Sequence, residues 1–207
     1  MELAQIYKPI EKELSCVRAL IKNNLTADSF TSELCRYILK TEGKMIRPAI
    51  ILLSSKLADN LAGIESPSLK IWQFAAAIEL IHTATLIHDD MIDKSCMRRF
   101  HQTINAKWGD DFSILFGDYL FSKAFSVLAE IDSSQLHKLT SEATNNISEG
   151  EFAQLNNRYN LALTREEYLF VLERKTASLF SVCTKGAAIL INLTMEEQDG
   201  LFQFGLN

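Results

Sequence analysis

Residues 79–93 read ELIHTATLIHDDMID, a run without Gly or Pro in which apolar side chains recur at helical spacing. The pattern extends back to Ser66-Pro67, where a serine cap precedes a proline suited to the first helical turn. Nothing breaks it before about Lys94. The sequence therefore predicts one long helix that carries three aspartates near its end.

The rest of the chain shows the same periodicity. Helices are predicted over residues 3–21 and 30–38, from Pro48 to about Leu57, from Asp110 or Asp111 to about Ile131, from Ser133 or Ser134 to about Asn156, from the Thr164 capping box to about Ile191, and from about Thr194 onward. No alternating β-branched run occurs, so strands are not expected. We predict an all-α fold, a helical bundle forming a single domain over residues 1–207.

Composition narrows the function. Apolar residues make up 47% and charged residues 23% of the chain, which is typical of a folded globular protein. The net charge of −5 argues against a nucleic-acid partner, which usually requires a basic field. No stretch has the roughly 18 to 20 apolar residues of a membrane span. The four cysteines form no C-x-x-C pair, and with no secretory signal we expect a cytoplasmic protein.

Two of the aspartates predict a metal site. Asp89 and Asp93 are four residues apart, so their carboxylates lie on one helix face, and Asp90 lies on the adjoining flank. Like charges at this spacing repel, and a magnesium ion would resolve the repulsion because it takes a few carboxylate ligands and completes its shell with water or phosphate oxygens. A solvated acidic helix end is the alternative interpretation of the same residues.

Basic residues lie on both sides of the long helix in the sequence. Lys44 and Arg47 belong to a GKMIRP loop just before a helix start, where backbone amides and the helix dipole also favour an anion. Arg98 and Arg99 form a second cationic pair. Each could be an ordinary surface charge, but together with the aspartates they suggest two diphosphate sites. His82 lies two turns before Asp89 on the same face, although a helix histidine is more often a hydrogen-bonded core residue.

Three motifs carry a resemblance to a known family. GKMIRP at 43–48, the H-x6-DDMID-x4-RR run at 82–99 and Lys175-Thr176 are similar to the trans-polyprenyl diphosphate synthases, of medium- or long-chain type. Further agreement lies at 103–105, 116–120 and 150–155, and the similarity runs from about residue 5 to the last residue. The resemblance implies an isoprenoid synthase bundle that condenses isopentenyl diphosphate with an allylic diphosphate, usually as a homodimer.

The resemblance also implies roles for individual residues. The diphosphate of isopentenyl diphosphate would be held by Lys44, Arg47, His82 and Arg99. The catalytic set would be Asp89, Asp90, Asp93 and Lys175, with Asp89 and Asp93 as Mg²⁺ ligands and Asp90 in support. Arg98 and Lys175 would contact the allylic diphosphate, with Thr176 beside them.

Product length is suggested by the residues upstream of Asp89. Short-chain members of the family place a bulky aromatic residue four or five positions before the motif, where this chain has Thr85 and Ala84. We therefore expect a medium- or long-chain product. Small residues at these positions would also simply let helices pack closely, and Trp72 or Phe74 could act as a floor farther up.

The sequence departs from the family in two ways. Phe100 replaces the usual glycine after the arginine pair, and no second aspartate-rich motif is present before Asn207. We expect a truncated bundle, as part of a longer enzyme. A non-catalytic or regulatory subunit is the alternative. A terpene cyclase would share the aspartates, but it would have no need of the GKMIRP loop.

Overall fold

A computed structural model describes residues 3–26, 30–41, 43–57 and 69–207. The helices are α1 Leu3–Tyr7, α2 Glu11–Asn24, α3 Thr31–Lys40, α4 Ile46–Ser55, α5 Leu69–Ile92, α6 Ile104–Trp108, α7 Asp110–Ala129, α8 Ser134–Asn156, α9 Arg165–Leu172, α10 Ser178–Leu190 and α11 Met195–Leu206. A 3₁₀ turn spans Lys8–Ile10, a π-helical segment spans Glu173–Ala177, and two short strands are β1 Met97–Arg98 and β2 His101–Gln102. The all-α prediction is confirmed.

Local predictions succeeded where a cap decides the boundary. Ser133, Thr164 and Thr194 each accept a backbone N–H of the first helical turn, and the two threonines complete capping boxes with glutamates. The predicted start at Ser66-Pro67 lies outside the described residues. The predicted cap at Asp110 or Asp111 is wrong, because Gly109 occupies the cap position without a side-chain bond.

Two other expectations are corrected. The helix predicted over residues 3–21 is interrupted by the 3₁₀ turn, because Pro9 has no N–H to donate to a helical hydrogen bond. The expectation of no strands is wrong for a two-stranded antiparallel hairpin in which Arg98 pairs with His101. Each of its strands has only two residues, which is too short for an alternating pattern to show in the sequence.

The chain divides into two compact units, residues 1–49 with 72–131 and residues 50–71 with 132–207. The prediction of a single domain therefore stays a prediction. The core of the first unit is built on α5, whose residues Phe74, Ala75, Ala77 and Ile78 are all fully buried. A helix that is apolar on every side must be covered on every side, and burial of each large side chain stabilises the unit by about 2 kcal/mol.

The second unit contains α8, α9, α10 and α11. Close packing joins α10 to α11, since a Cβ on Gly205 would lie 2.6 Å from the carbonyl oxygen of Phe180. The Thr184 hydroxyl also donates to the carbonyl of Leu201 at 2.6 Å. In contrast, α9 has no buried residue, although it contains Phe170 and other large apolar side chains.

One helix among the described residues, α7, is long and apolar enough to cross a membrane by length and composition. A core helix of a non-membrane protein passes the same test, so this is weak support for a span. The prediction that no segment is long enough and apolar enough therefore does not hold for α7 by this criterion.

Candidate active site

The three aspartates lie at the carboxyl end of α5. Lys94 has a φ of 53°, the Ser95 N–H donates to the carbonyl of Asp90 at 2.8 Å, and the Lys94 N–H donates to that of Met91. These are the two bonds of a Schellman motif, which ends the helix here. A helix carboxyl end already carries partial negative charge, so added carboxylates are unfavourable unless cations accompany them.

Asp90 obtains its cation from within the chain. Its side chain is buried, and it accepts two hydrogen bonds from Arg98, at 2.7 Å from Nε and 2.8 Å from Nη2. These bonds, and the Asp90 charge, raise the pKa of the Arg98 guanidinium, while burial opposes the shift. Asp90 therefore fixes the orientation of the Arg98 guanidinium.

The hairpin after α5 presents Arg99 at its tip. Arg99 and Phe100 both have positive φ, 48° and 68°, as the two central residues of a type I′ turn require. The Phe100 side chain is 98% exposed, so no packing within the described residues offsets this backbone strain. The departure noted in the sequence at Phe100 therefore coincides with a strained position.

Arg99 lies against the GKMIRP loop. A Cβ on Gly43 would be 2.5 Å from Nη1 of Arg99, and the same nitrogen donates to the carbonyl of Thr41 at 3.4 Å. The Tyr7 hydroxyl donates to the carbonyl of Lys44 at 2.7 Å, which fastens the other side of the loop. Arg99 and the loop that carries Lys44, although distant in sequence, therefore lie together, and we call them the basic cluster.

His82 is a partly buried residue close to this cluster. The pKa of its imidazole is lowered from 6.5 to about 3. Burial is the largest cause, and the charges of Arg47, Arg99 and Arg98 contribute the rest. The imidazole is therefore neutral near pH 7 and can donate one hydrogen bond to an anion without carrying a charge. Three of the predicted residues, Arg47, Arg98 and Arg99, thus lie close enough for their charges to act on His82.

A cavity of about 90 Å³ lies within the first unit beside these residues. His82, Arg98 and Arg99 form a polar part of its lining, whereas Leu86 and Ile87 belong to an apolar part. A ligand with an anionic head and a short apolar tail matches this division.

The second unit carries the remaining predicted residues, Lys175 and Thr176, in the π-helical segment. π-helical turns are rare and occur frequently at functional sites. Lys175 forms an ion pair with Glu151 of α8, and both side chains are largely buried. Thr176 is exposed.

The proposed channel positions are small. Ala84 is fully buried, and the Thr85 hydroxyl donates to the carbonyl of His82 at 2.8 Å within its own helix. Phe74 is fully buried, whereas Trp72 keeps part of its surface exposed. These placements are compatible with a channel and with close helix packing alike, so the role of these residues stays a prediction.

The aspartate site fits a magnesium ion. Asp89 and Asp93 lie one turn apart and each keeps part of its surface exposed, whereas Asp90 is committed to Arg98. Across residues 3–26, 30–41, 43–57 and 69–207, no group of three or more His, Cys, Asp or Glu side chains forms a metal cluster. Magnesium does not need one, since one or two carboxylates with phosphate oxygens and waters suffice.

Several contacting residues were not predicted as site residues. Tyr7 and Glu151 hold functional segments through contacts with partners 37 and 24 positions away in the chain, so no local pattern indicates them. His88 lies beside Asp89, donates a hydrogen bond from Nε2 to the Ile114 carbonyl at 3.2 Å, and fills the space where Gly117 lacks a Cβ. The only sequence feature that pointed to Gly117 and Glu151 was the family similarity over residues 116–120 and 150–155.

Comparison with known proteins shows the family to which this chain belongs. Residues 28–207 match the model of the polyprenyl synthetase family, and the chain belongs to that family. It is 37% identical over 206 residues to an octaprenyl diphosphate synthase of Escherichia coli, covering 99% of this chain and 62% of the relative. It is 34% identical over 170 residues to a chloroplastic solanesyl diphosphate synthase of Arabidopsis thaliana, covering 82% of this chain and 41% of that protein.

Solved structures show the same fold. A decaprenyl diphosphate synthase from Rhodobacter capsulatus superposes with a TM-score of 0.91 at 32% identity, covering 99% of this chain and 62% of that chain. A polyprenyl synthase from Caulobacter crescentus, complexed with calcium and isoprenyl diphosphate, gives a TM-score of 0.92 at 30% identity, covering 99% of this chain and 61% of that chain. The chain thus spans about three fifths of the length of these relatives.

Proposed function

We propose that this chain carries the substrate-binding part of a prenyltransferase that condenses isopentenyl diphosphate with an allylic diphosphate. The observation that carries the proposal is the cluster of Arg47, His82, Arg98 and Arg99 beside a cavity with polar and apolar walls. A diphosphate needs several cations and donors, and an isopentenyl tail needs a short apolar pocket. The names of the relatives support the same reaction class.

The basic cluster would hold isopentenyl diphosphate. Lys44, on the fastened loop, and Arg47, in the first turn of α4, would face its phosphates together with Arg99. Neutral His82 would add a hydrogen bond from the buried side. These residues would fix the position of the isopentenyl double bond for its attack on the allylic carbon.

The aspartates and Lys175 would serve the allylic diphosphate. Asp89 and Asp93 would hold Mg²⁺, which when bound stabilises the negative charge of the departing diphosphate. Arg98, held by Asp90, would place positive charge on this leaving group as the carbon–oxygen bond ionises, and the family resemblance assigns a contact with the allylic diphosphate to Lys175 as well. Thr176 would add a hydroxyl next to Lys175.

We further propose a medium- or long-chain all-trans product. Ala84 and Thr85 leave no bulky side chain one turn before Asp89. The octaprenyl, solanesyl and decaprenyl names of relatives support this range.

The assembly and location are also proposals. A homodimer is supported by exposed apolar side chains along α7, including Leu115 and Phe125, which a second copy could cover. A cytoplasmic location is supported by the cysteines, all within the described residues, none of which forms a disulfide.

The test is product formation by the 207-residue chain. Purified protein receives farnesyl diphosphate, labelled isopentenyl diphosphate and Mg²⁺, and product lengths are resolved by chromatography. We expect labelled chains that decrease at least about 1,000-fold in Asp89→Ala, since a ligand of the catalytic ion is lost.

Asp110→Asn is the matched control, because Asp110 is an exposed aspartate paired with Lys94 at 2.6 Å. Its turnover should equal that of the wild type. Substrate binding without product would show that the chemistry needs residues beyond Asn207 or a partner subunit, whereas no binding of either substrate would contradict the proposal.

A further inference from the structure

A helix-to-helix contact in the second unit surrounds Lys175. Gly150 of α8 is buried against the π-helical segment, and a Cβ at this position would lie 2.9 Å from Cβ of Arg174 and 2.9 Å from the backbone nitrogen of Lys175. Any side chain there would force the two backbones apart. Glycine therefore sets the distance between α8 and the segment that carries Lys175.

Two glutamates flank this glycine. Successive residues of a helix are about 100° apart, so Glu149 and Glu151 project on opposite sides of Gly150. Glu149 accepts a hydrogen bond from Nη1 of Arg174 at 2.9 Å, and Glu151 forms an ion pair with Lys175. Two neighbouring carboxylates thus bind two neighbouring cations, one pair on each side of the glycine.

The π-helical segment fits the contact. The Ser178 N–H donates to the carbonyl of Glu173, five residues earlier, which is the bond that defines the wider turn. The Ser178 hydroxyl donates to the carbonyl of Arg174 at 2.6 Å and supplies that carbonyl with a donor. The backbone on both sides of Lys175 is therefore held by bonds of its own.

The two cations differ in their surroundings. Arg174 binds Glu149, contacts the side-chain oxygen of Asn146, and lies 5.0 Å from the centre of the Phe170 ring, which anchors it to its own unit. Lys175 is the residue that the proposed function places on the allylic diphosphate. An ammonium has three N–H donors, so it can hold Glu151 and diphosphate oxygens at once.

Burial of Glu151 favours persistence of its ion pair with Lys175 when a ligand binds. The Glu151 side chain is 13% exposed, and apart from the ion pair neither of its oxygens has a hydrogen-bond partner among the residues that the structure describes. If Lys175 left it for a ligand, a mostly buried carboxylate would remain without a cation, which is unfavourable. The pair therefore persists when ligand binds.

We propose that Glu151 is a positioning residue that holds the Lys175 ammonium for contact with the allylic diphosphate, at a distance set by Gly150. This inference deepens the proposed function and rests on it. Glu151 itself would not touch the substrate, so its effect must pass through Lys175.

The experiment measures the affinity of the 207-residue chain for farnesyl thiolodiphosphate, an analogue that resists ionisation, by calorimetry with Mg²⁺. We expect Glu151→Ala to weaken binding about tenfold, as loss of a charge-assisted contact would. Glu151→Gln should weaken it less, because its amide oxygen still accepts from Lys175. Glu149→Gln, the matched change on the other side of Gly150, should leave affinity within about twofold, since Arg174 keeps its other contacts.

A double variant tests whether the effect passes through Lys175. Lys175→Ala with Glu151→Ala should bind no more weakly than Lys175→Ala alone. Weak binding by Lys175→Ala with normal binding by Glu151→Ala would overturn the positioning role only. Normal binding by Lys175→Ala, or no binding by the wild type, would contradict the proposed function itself. Isopentenyl diphosphate affinity should be unchanged in Glu151→Ala, and an equal loss there would also overturn the inference.

Discussion

The two units arrange their charged groups differently. In the first unit, Asp89, Asp90 and Asp93 share one helix end, and the partner of Asp90 follows only eight residues later in the hairpin. In the second, Glu151 lies inside α8, and its partner Lys175 follows 24 residues later in a widened turn. The first pair is formed by residues close together in the sequence, whereas the second pair is brought together only by the packing of α8 against the π-helical segment.

The units also differ in which part of a basic residue lies against a glycine. Gly43 meets the end of the flexible Arg99 side chain, which can move away at little cost. Gly150 meets the backbone of Lys175, which cannot move without shifting the whole turn. The first contact therefore allows adjustment to a ligand, whereas the second fixes direction in advance.

The largest expected effect of a substitution on stability at neutral pH is at Asp90. Asp90→Asn should lower the free energy of unfolding by about 3 kcal/mol, because a buried carboxylate loses two charge-assisted bonds and Arg98 loses its partner. Asp93→Asn, at an exposed position of the same motif, should change it by less than about 0.5 kcal/mol. Urea denaturation measures both. Equal losses would show that the motif is not divided into a structural and a metal-facing part.

The two glycines provide the second test. Gly150→Ala should cost about 2 kcal/mol of unfolding free energy because backbone must shift. Gly43→Ala should cost less than about 0.5 kcal/mol, yet weaken isopentenyl diphosphate binding by displacing Arg99. Denaturation and calorimetry give the two values.

Gly200 is the control for these glycines. Nothing lies within 4 Å of the position a Cβ would take at this site in α11, so Gly200→Ala should stabilise the chain by about 0.5 to 1 kcal/mol. If Gly200→Ala lowered the free energy of unfolding as much as Gly150→Ala does, the loss at Gly150 could not be attributed to its close contact with the backbone of Lys175.

The third prediction concerns pH and the first unit. Because the pKa of His82 is about 3 in the folded chain, the unfolded chain binds more protons between pH 6.5 and 3. The contribution is complete above pH 6.5 and is lost as pH falls, at up to about 1.4 kcal/mol per pH unit. Unfolding of the wild type and His82→Gln should be compared across this window. Parallel curves would show that His82 is not buried in its neutral form.

The smallest expected effect is at the hairpin. Phe100→Gly should raise the free energy of unfolding by about 1 kcal/mol, since glycine adopts a φ of 68° without strain and the phenyl ring makes no compensating contact within the described residues. Thermal unfolding would detect the gain. A loss of stability would mean that Phe100 packs against a group outside those residues.

Predictions from the sequence were correct where a helix boundary is decided by residues within the same short segment. Correct predictions from local residues include the helix ends at Asn156 and near Lys94, the capping box at Thr164 and the helix start near Thr194. It failed at the hairpin around Arg98, where each strand is too short for a pattern.

The partners within the site were harder to predict than its members. A bidentate bond of Arg98 to Asp90 was not expected, because the resemblance assigns Arg98 to the allylic diphosphate and Asp90 to the support of the metal ligands. The widened turn at Lys175 lies against Gly150 of α8, and helix propensity carries no information about that contact.

The π-helical segment has a consequence for how this chain tolerates changes in length. A residue deleted from an ordinary helix rotates everything upstream by about 100° and usually buries the wrong face. Between Leu172 and Ser178, removal of one residue would leave a regular helix running from α9 into α10. Such a shortened chain would fold with its hydrophobic register in α10 intact, while the ammonium of Lys175 would point elsewhere. A single-residue deletion here would thus preserve folding while removing the proposed contact of Lys175 with substrate.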